Sequence, residues 1–138
     1  IYKAEEVIRR IRTYEAEPSV DNAAFSQLET LAGITEPVTV ENLDRVLEDV
    51  AEANASLASY LRAASRMTLV ATMINAGVKS NSVAETCVIT CDVRSLPHQG
   101  PDYVRQQLEG LMEGLDGVRV EVIETAVSNA STYDSELA

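Results

Sequence analysis

The spacing of apolar residues changes from a helical period to a strand period close to Met67, and that switch limits what this chain can fold into. Ahead of it, "KAEEVIRRIRTYE" sets Ala4, Val7, Ile8 and Ile11 at helical spacing, with charges on the other side. The pattern predicts an amphipathic first helix. Glu17 and Pro18 stop it, because a residue before proline is pushed out of the helical region. A second helical stretch is expected from about Asn22 to Leu31, with Phe25, Leu28 and Leu31 on one stripe, Asp21 as its N-cap and Gly33 at its end. Thr39 is then placed to cap a long helix in which Leu43, Val46, Leu47, Val50, Leu57 and Leu61 recur on one side. Its alanine-rich middle, Ala51 to Ala58, favours helix.

Beyond the switch, "MTLVATMINAG" alternates Thr68, Val70, Thr72 and Ile74 with Met67, Leu69, Ala71 and Met73, so both faces carry apolar groups. This is a strand covered on at least one side, and Gly77 ends it. In the next strand Cys87, Ile89, Cys91 and Val93 form a core face, while Thr86, Val88, Thr90, Asp92 and Arg94 form a wetter one. Pro97 stops that strand. "GPDYVRQQLEGLMEGLDG" then predicts a helix with Pro101 in its first turn, Asp102 near the positive dipole end, a stripe of Val104, Leu108, Leu111, Met112 and Leu115, and Gly117 past its end. "VRVEVIE", Val118 to Glu124, alternates as a half-buried strand.

The element order is helix, helical insert, strand, strand, helix, strand. One further strand ahead of Ile1 would complete β-α-β-β-α-β. The expected fold class is therefore α+β: a ferredoxin-like antiparallel sheet with helices on one face, its first strand missing, and a helical insert at about residues 19–64. In that sheet the missing strand would lie between two others, so its absence leaves edge hydrogen-bonding groups and favours self-association. The polar tail "SNASTYDSELA" has no period and reads as a connection.

Composition narrows the partners. A chain of 138 residues with 46% hydrophobic residues can bury a core, and with one Phe, five Tyr and no Trp that core is aliphatic. Eleven basic residues against 22 acidic ones give a net charge of -11, which opposes the counterion release that drives nucleic-acid binding. Nucleic acids and anionic membranes are expected to be poor partners, and neither is expected as one. No apolar run approaches the ~20 residues needed to span a bilayer. Cys87 and Cys91, four positions apart on one strand, are separated by about 13 Å, beyond disulfide reach. Two free thiols suit a reducing, cytoplasmic setting.

Most catalytic chemistries fail on residue supply. The single histidine, His98, follows Pro97 at a strand-to-helix junction and reads as an exposed loop residue; with no Cys pair at ligand spacing, a zinc site built from this chain alone is not expected. No Gly-x-Ser-x-Gly elbow, phosphate loop or dinucleotide fingerprint occurs. Two candidates remain in "GVKSNSVAETCVITCDVR". Asn81 offers an amide that both donates and accepts, and Arg94 ends a strand with a planar fork suited to a carboxylate. Each also has a purely structural reading: Asn81 as a turn residue with positive φ, and Arg94 in an ion pair with Asp92 or Glu85.

The stretch "MTLVATMINAGVKSNSVAETCVITCDVRSLP" resembles the lid, or dimerisation, domain of the M20 family of zinc-dependent metallopeptidases and amidohydrolases. The resemblance rests on Thr72, Gly77, Lys79, Asn81, Asp92, Arg94, Leu96 and Pro97. Ser82, Val83, Ala84 and His98 depart from the family's usual residues and mark a divergent member.

The resemblance implies a homodimer and a small peptide or N-acyl amino acid as substrate. It also implies a catalytic domain outside this chain, holding two zinc ions and the proton-shuttling glutamate, so that this chain alone is inactive. Asn81 and Arg94 would bind the substrate's carboxylate or the amide being cleaved. Thirteen residues of extended chain would span ~43 Å, with an odd offset placing the two side chains on opposite faces, so the pair would serve different active sites across a two-fold axis. The alternative is a stand-alone ferredoxin-like oligomerisation or small-molecule-sensing module. Metal-ligand motifs in the flanking sequence would favour the enzyme, and a regulatory domain there would favour the sensor.

Overall fold

The computed structural model describes residues 2–123, which form two compact units: a helical one over Ala16–Met67 and a sheet-containing one built from residues 2–15 and 68–123. The class is α+β, with five α-helices and a two-stranded antiparallel sheet among the described residues.

In the helical unit, a 3-10 turn at Ala23–Gln27 leads into α2, Leu28–Ala32. (The first helix, α1, Tyr2–Arg12, belongs to the other unit.) The N-cap is Asn22 rather than Asp21: its Oδ1 accepts from the backbone N–H of Ala24 at 2.9 Å. The carboxylate of Asp21 is instead engaged by the Ser19 hydroxyl at 2.8 Å. Gly33 ends α2 in the left-handed region, φ 69°, where a side chain would strain the backbone, and its N–H donates to Glu29 O. Leu31, expected on the apolar stripe, is 48% exposed.

The expected long helix is two helices, α3 (Leu43–Ala53) and α4 (Ala55–Ser65). Its start also lies later than Thr39, whose N–H is held by Asn42 Oδ1 at 2.8 Å in the turn that precedes Leu43. Asn54 makes the break. Extended at φ -152°, it donates its N–H to Val50 O, closing α3, while its side chain accepts from Leu57 N–H at 3.0 Å, opening α4. The apolar stripe survives the break: Leu43, Val46, Leu47 and Val50 of α3 and Ala58 and Leu61 of α4 are buried in one core with Phe25 and Leu28. Outside it, Arg45 pairs with Glu36 and Asp49, and Arg66 with Asp44.

In the other unit, β1 (Thr68–Ala76) pairs antiparallel with β2 (Cys87–Arg94). Ala71 lies opposite Cys91 but Met73 lies opposite Thr90, so Thr72 is the extra residue of a β-bulge, with its hydroxyl donating to Thr90 O at 3.2 Å. The bulge corrects the simple alternation read from the sequence. Downstream of it the parity reverses, and Ile74 joins Leu69 and Ala71 on one face, opposite Ile89, Val93 and Cys91 respectively on β2. The other face of the ribbon carries Val70, Met73 and Val88, each more than half exposed.

Helix α1, Tyr2–Arg12, is tied to α5, Pro101–Leu111, and the turn after it by side chains. Arg10 Nη1 donates to Leu111 O and Glu113 O, both at 2.8 Å, putting a cation on the negative end of α5. Lys3 Nζ reaches Asp116 O at 2.8 Å, and Tyr14 Oη reaches Gln107 at 3.1 Å. Ile11, Leu96, Val104 and Met112 are buried. Helix α1 ends well before Pro18, and α5 ends at Leu111 rather than Leu115, running into turns with positive-φ glycines at Gly114 and Gly117.

Val118 to Ile123 do not form the expected closing strand, and Glu124 lies outside the described residues. The burial alternation is present, with Val118, Val120 and Val122 partly covered and Arg119 and Glu121 exposed and paired with each other. Alternation alone does not make a strand; a ladder needs a partner edge. A ferredoxin-like sheet takes four strands, whereas the described residues hold a two-stranded sheet.

Candidate functional site

The β1–β2 hairpin positions both residues singled out in the sequence. Gly77 closes β1 with φ 70°, a conformation that L side chains rarely adopt, and starts the connection to β2. Asn81 lies in a turn within that connection, exposed, beside a bond from Ser82 N–H to Lys79 O at 3.3 Å. Its φ is not positive, since among the described residues positive φ is confined to glycines. That overturns the expectation of a left-handed turn residue.

Arg94 is the last residue of β2, opposite Thr68. The chain after it is fixed by a buried side chain: Gln99 accepts from Leu96 N–H through Oε1 at 2.9 Å and returns its own N–H to Leu96 O at 2.8 Å. Arg94 Nε donates to Asp92 Oδ2 at 3.2 Å, both side chains standing mostly in water. This is one of the two ion pairs the sequence allowed, and an exposed pair of this kind contributes ~0–1 kcal/mol. With its side chain 81% exposed, the guanidinium remains accessible to a ligand carboxylate.

The hairpin does not bring Asn81 and Arg94 together. Arg94 lies at the open end of the ribbon and Asn81 in the loop at the other end. The extended run between them is shorter than the sequence suggested, because residues 82–86 are not strand. Seven steps from Cys87 to Arg94 at ~3.3 Å make about 23 Å rather than ~43 Å. Side-chain parity does not apply to Asn81, which is outside the ladder.

Sequence reasoning did not find the cavity between α1 and the ribbon, about 390 Å³ in volume. Ala4, Ile8, Ile74, Ala76 and Cys87 give it apolar walls, and Glu5, Arg9 and Arg12 its charges. Only the bulge at Thr72 turns Ile74 and Ala76 toward it, and nothing in the residue pattern announces that bulge. Neither Asn81 nor Arg94 lines this space.

Metal chemistry finds no support in these side chains. Among the described residues no group of three or more His, Cys, Asp or Glu is placed to hold an ion. His98 is exposed in the turn after β2, and Cys87 and Cys91 are free thiols on one strand. Burial pushes the Cys91 thiol above its ordinary pKa, away from the thiolate that metal binding or nucleophilic attack requires. The described residues therefore do not fit a zinc centre. Among them, no helix is long and apolar enough to cross a membrane.

The chain matches the family model of the peptidase dimerisation domain over residues 1–118. No curated protein and no solved structure matches it. The match takes in both helices of the sheet unit, the whole hairpin with Asn81 and Arg94, and the helical unit. The chain therefore belongs to the dimerisation domain family of the M20 peptidases.

Proposed function

We propose that this chain is the lid and dimerisation domain of a zinc-dependent M20-type amide or peptide hydrolase, in which Asn81 and Arg94 hold the carboxylate end of the substrate at two different active sites. Membership of the family assigns it a role in peptidase dimerisation. The finer reading is supported above all by the placement of the two residues toward opposite ends of one ribbon, Arg94 at the end of β2, a strand about 23 Å long, and Asn81 in the loop before it. One small peptide or N-acyl amino acid cannot touch both. In a two-fold dimer, Arg94 would serve its own subunit's site and Asn81 the partner's.

The chemistry left to this chain is binding, orientation and exclusion of water. Arg94 supplies a charge-assisted bond to a carboxylate, and Asn81 an amide that can both donate and accept. Metal ligands and the proton-transferring group belong, in this reading, to a catalytic domain outside residues 2–123, and the chain alone does not catalyse. The helical unit over Ala16–Met67 is an insert in the lid. The two free thiols suit the cytoplasm.

Mixed dimers of the full-length enzyme test the crossing directly. If the residues cross, a subunit carrying both Asn81→Ala and Arg94→Ala, paired with a wild-type subunit, damages both active sites and leaves little activity. Pairing an Asn81→Ala subunit with an Arg94→Ala subunit puts both lesions in one site and leaves about half. The reverse pattern would place the two residues at the same subunit's site.

A further inference from the structure

The register of the ribbon sets Asp92 opposite Val70 and Arg94 opposite Thr68, so carboxylate and guanidinium stand in one row on the face that α1 does not cover. Asp92 Oδ2 accepts from Arg94 Nε. A guanidinium offers a carboxylate two edges, one made by Nε with an Nη and one made by the Nη pair. With Asp92 on the Nε side, an arriving carboxylate meets the Nη pair. The side chains are 81% and 53% exposed, so the ion pair adds little to folding, and its consequence is for what binds beside it.

We propose that Asp92 is a specificity-determining and positioning residue, orienting Arg94 through Nε and placing a fixed negative charge beside the carboxylate site. The site then selects ligands with one carboxylate over ligands that carry a second acidic group next to it. The proposal rests on the reading of Arg94 as the carboxylate anchor. Arg94 and Asp92 together are neutral, so a single ligand carboxylate gains the guanidinium without meeting a net negative patch. A second carboxylate has no cation left to it and faces Asp92. Two like charges ~6 Å apart in water repel enough to change affinity about threefold, and salt weakens this as the Debye length falls to ~8 Å at physiological strength.

The test uses the full-length enzyme and an isosteric substrate pair, C-terminal glutamine against C-terminal glutamate. The wild type is expected to show a KM about threefold lower for the glutamine substrate in low salt, with the preference shrinking as salt is added. Asp92→Asn, which keeps an oxygen to accept from Nε, should erase the preference by lowering KM for the glutamate substrate toward that for the glutamine substrate. Asp92→Ala should erase it and also raise KM for both substrates, because Arg94 loses its orienting partner. A preference that persists unchanged in Asp92→Asn, when Arg94→Ala raises KM, overturns this inference alone. If Arg94→Ala leaves KM unchanged for both substrates, the anchor reading itself fails and this inference goes with it.

Discussion

At the scale of single residues, Glu6 joins two arginines of α1. Its carboxylate accepts from Arg9 Nε and Nη2 at 2.9 and 2.6 Å and from Arg10 Nε at 2.9 Å. Those bonds, Arg9 first and Arg10 second, pull its pKa from 4.5 down to about 2. Arg10 also caps α5, so Glu6 orients the side chain that ties α1 to the end of that helix. A pKa depressed on folding means that the unfolded chain binds the proton more readily. The stabilisation is thus complete above the unfolded value and is lost as pH falls through the folded one. Glu6→Gln should therefore lower the unfolding free energy relative to wild type by a constant amount above about pH 5. Denaturant titrations at stepped pH should show that difference narrowing between pH 4.5 and about 2. A difference independent of pH across that window would show that Glu6 acts through packing and not through its charge.

At the scale of elements, Asn54 decides that the stretch from Leu43 to Ser65 is two helices where the periodicity reads as one. Removing its side chain strips the bond to Leu57 N–H from the start of α4 and frees the α3–α4 junction to continue as helix. Asn54→Ala should destabilise the chain by about 1 kcal/mol, the usual worth of an N-cap, and Asn54→Asp or Asn54→Ser by less. Urea unfolding followed by circular dichroism measures this. Asn54→Ala retaining full stability would mean that the core of Leu47, Val50 and Leu61 alone sets the bend.

The same junction shows which features a sequence reveals. The stripes of α3, α4 and α5 and the core face of β2 were legible because burial imposes the apolar period directly. The Asn54 break, the bulge at Thr72 and the shape of the turn around Asn81 were not, since each depends on one side chain or one extra residue competing with the backbone pattern. The closing strand failed for a different reason, because the alternation at Val118–Val122 reports which side faces water and not whether an edge is available to pair. Arg94 and Asn81 stood out by residue type and family resemblance; that they occupy opposite ends of one ribbon follows from the register alone.

For the whole molecule, association has to overcome charge. The family's role is dimerisation, yet each copy carries a net charge of -11. At ~35 Å between centres, two such charges repel by about 14 kcal/mol in unscreened water, which exceeds what a modest interface supplies. Salt removes most of this, because a Debye length of ~8 Å at 0.15 M is far shorter than that separation, whereas the ~30 Å length at 0.01 M is comparable to it. Apolar contacts, in contrast, are little affected over that range of salt. Sedimentation equilibrium on this chain should therefore show dimerisation at least tenfold tighter at 0.15 M than at 0.01 M salt. If the dimer instead weakens as salt is added, its interface is held by ion pairs between subunits and not by burial of apolar surface, and the net repulsion is offset locally by basic residues facing acidic ones across the axis.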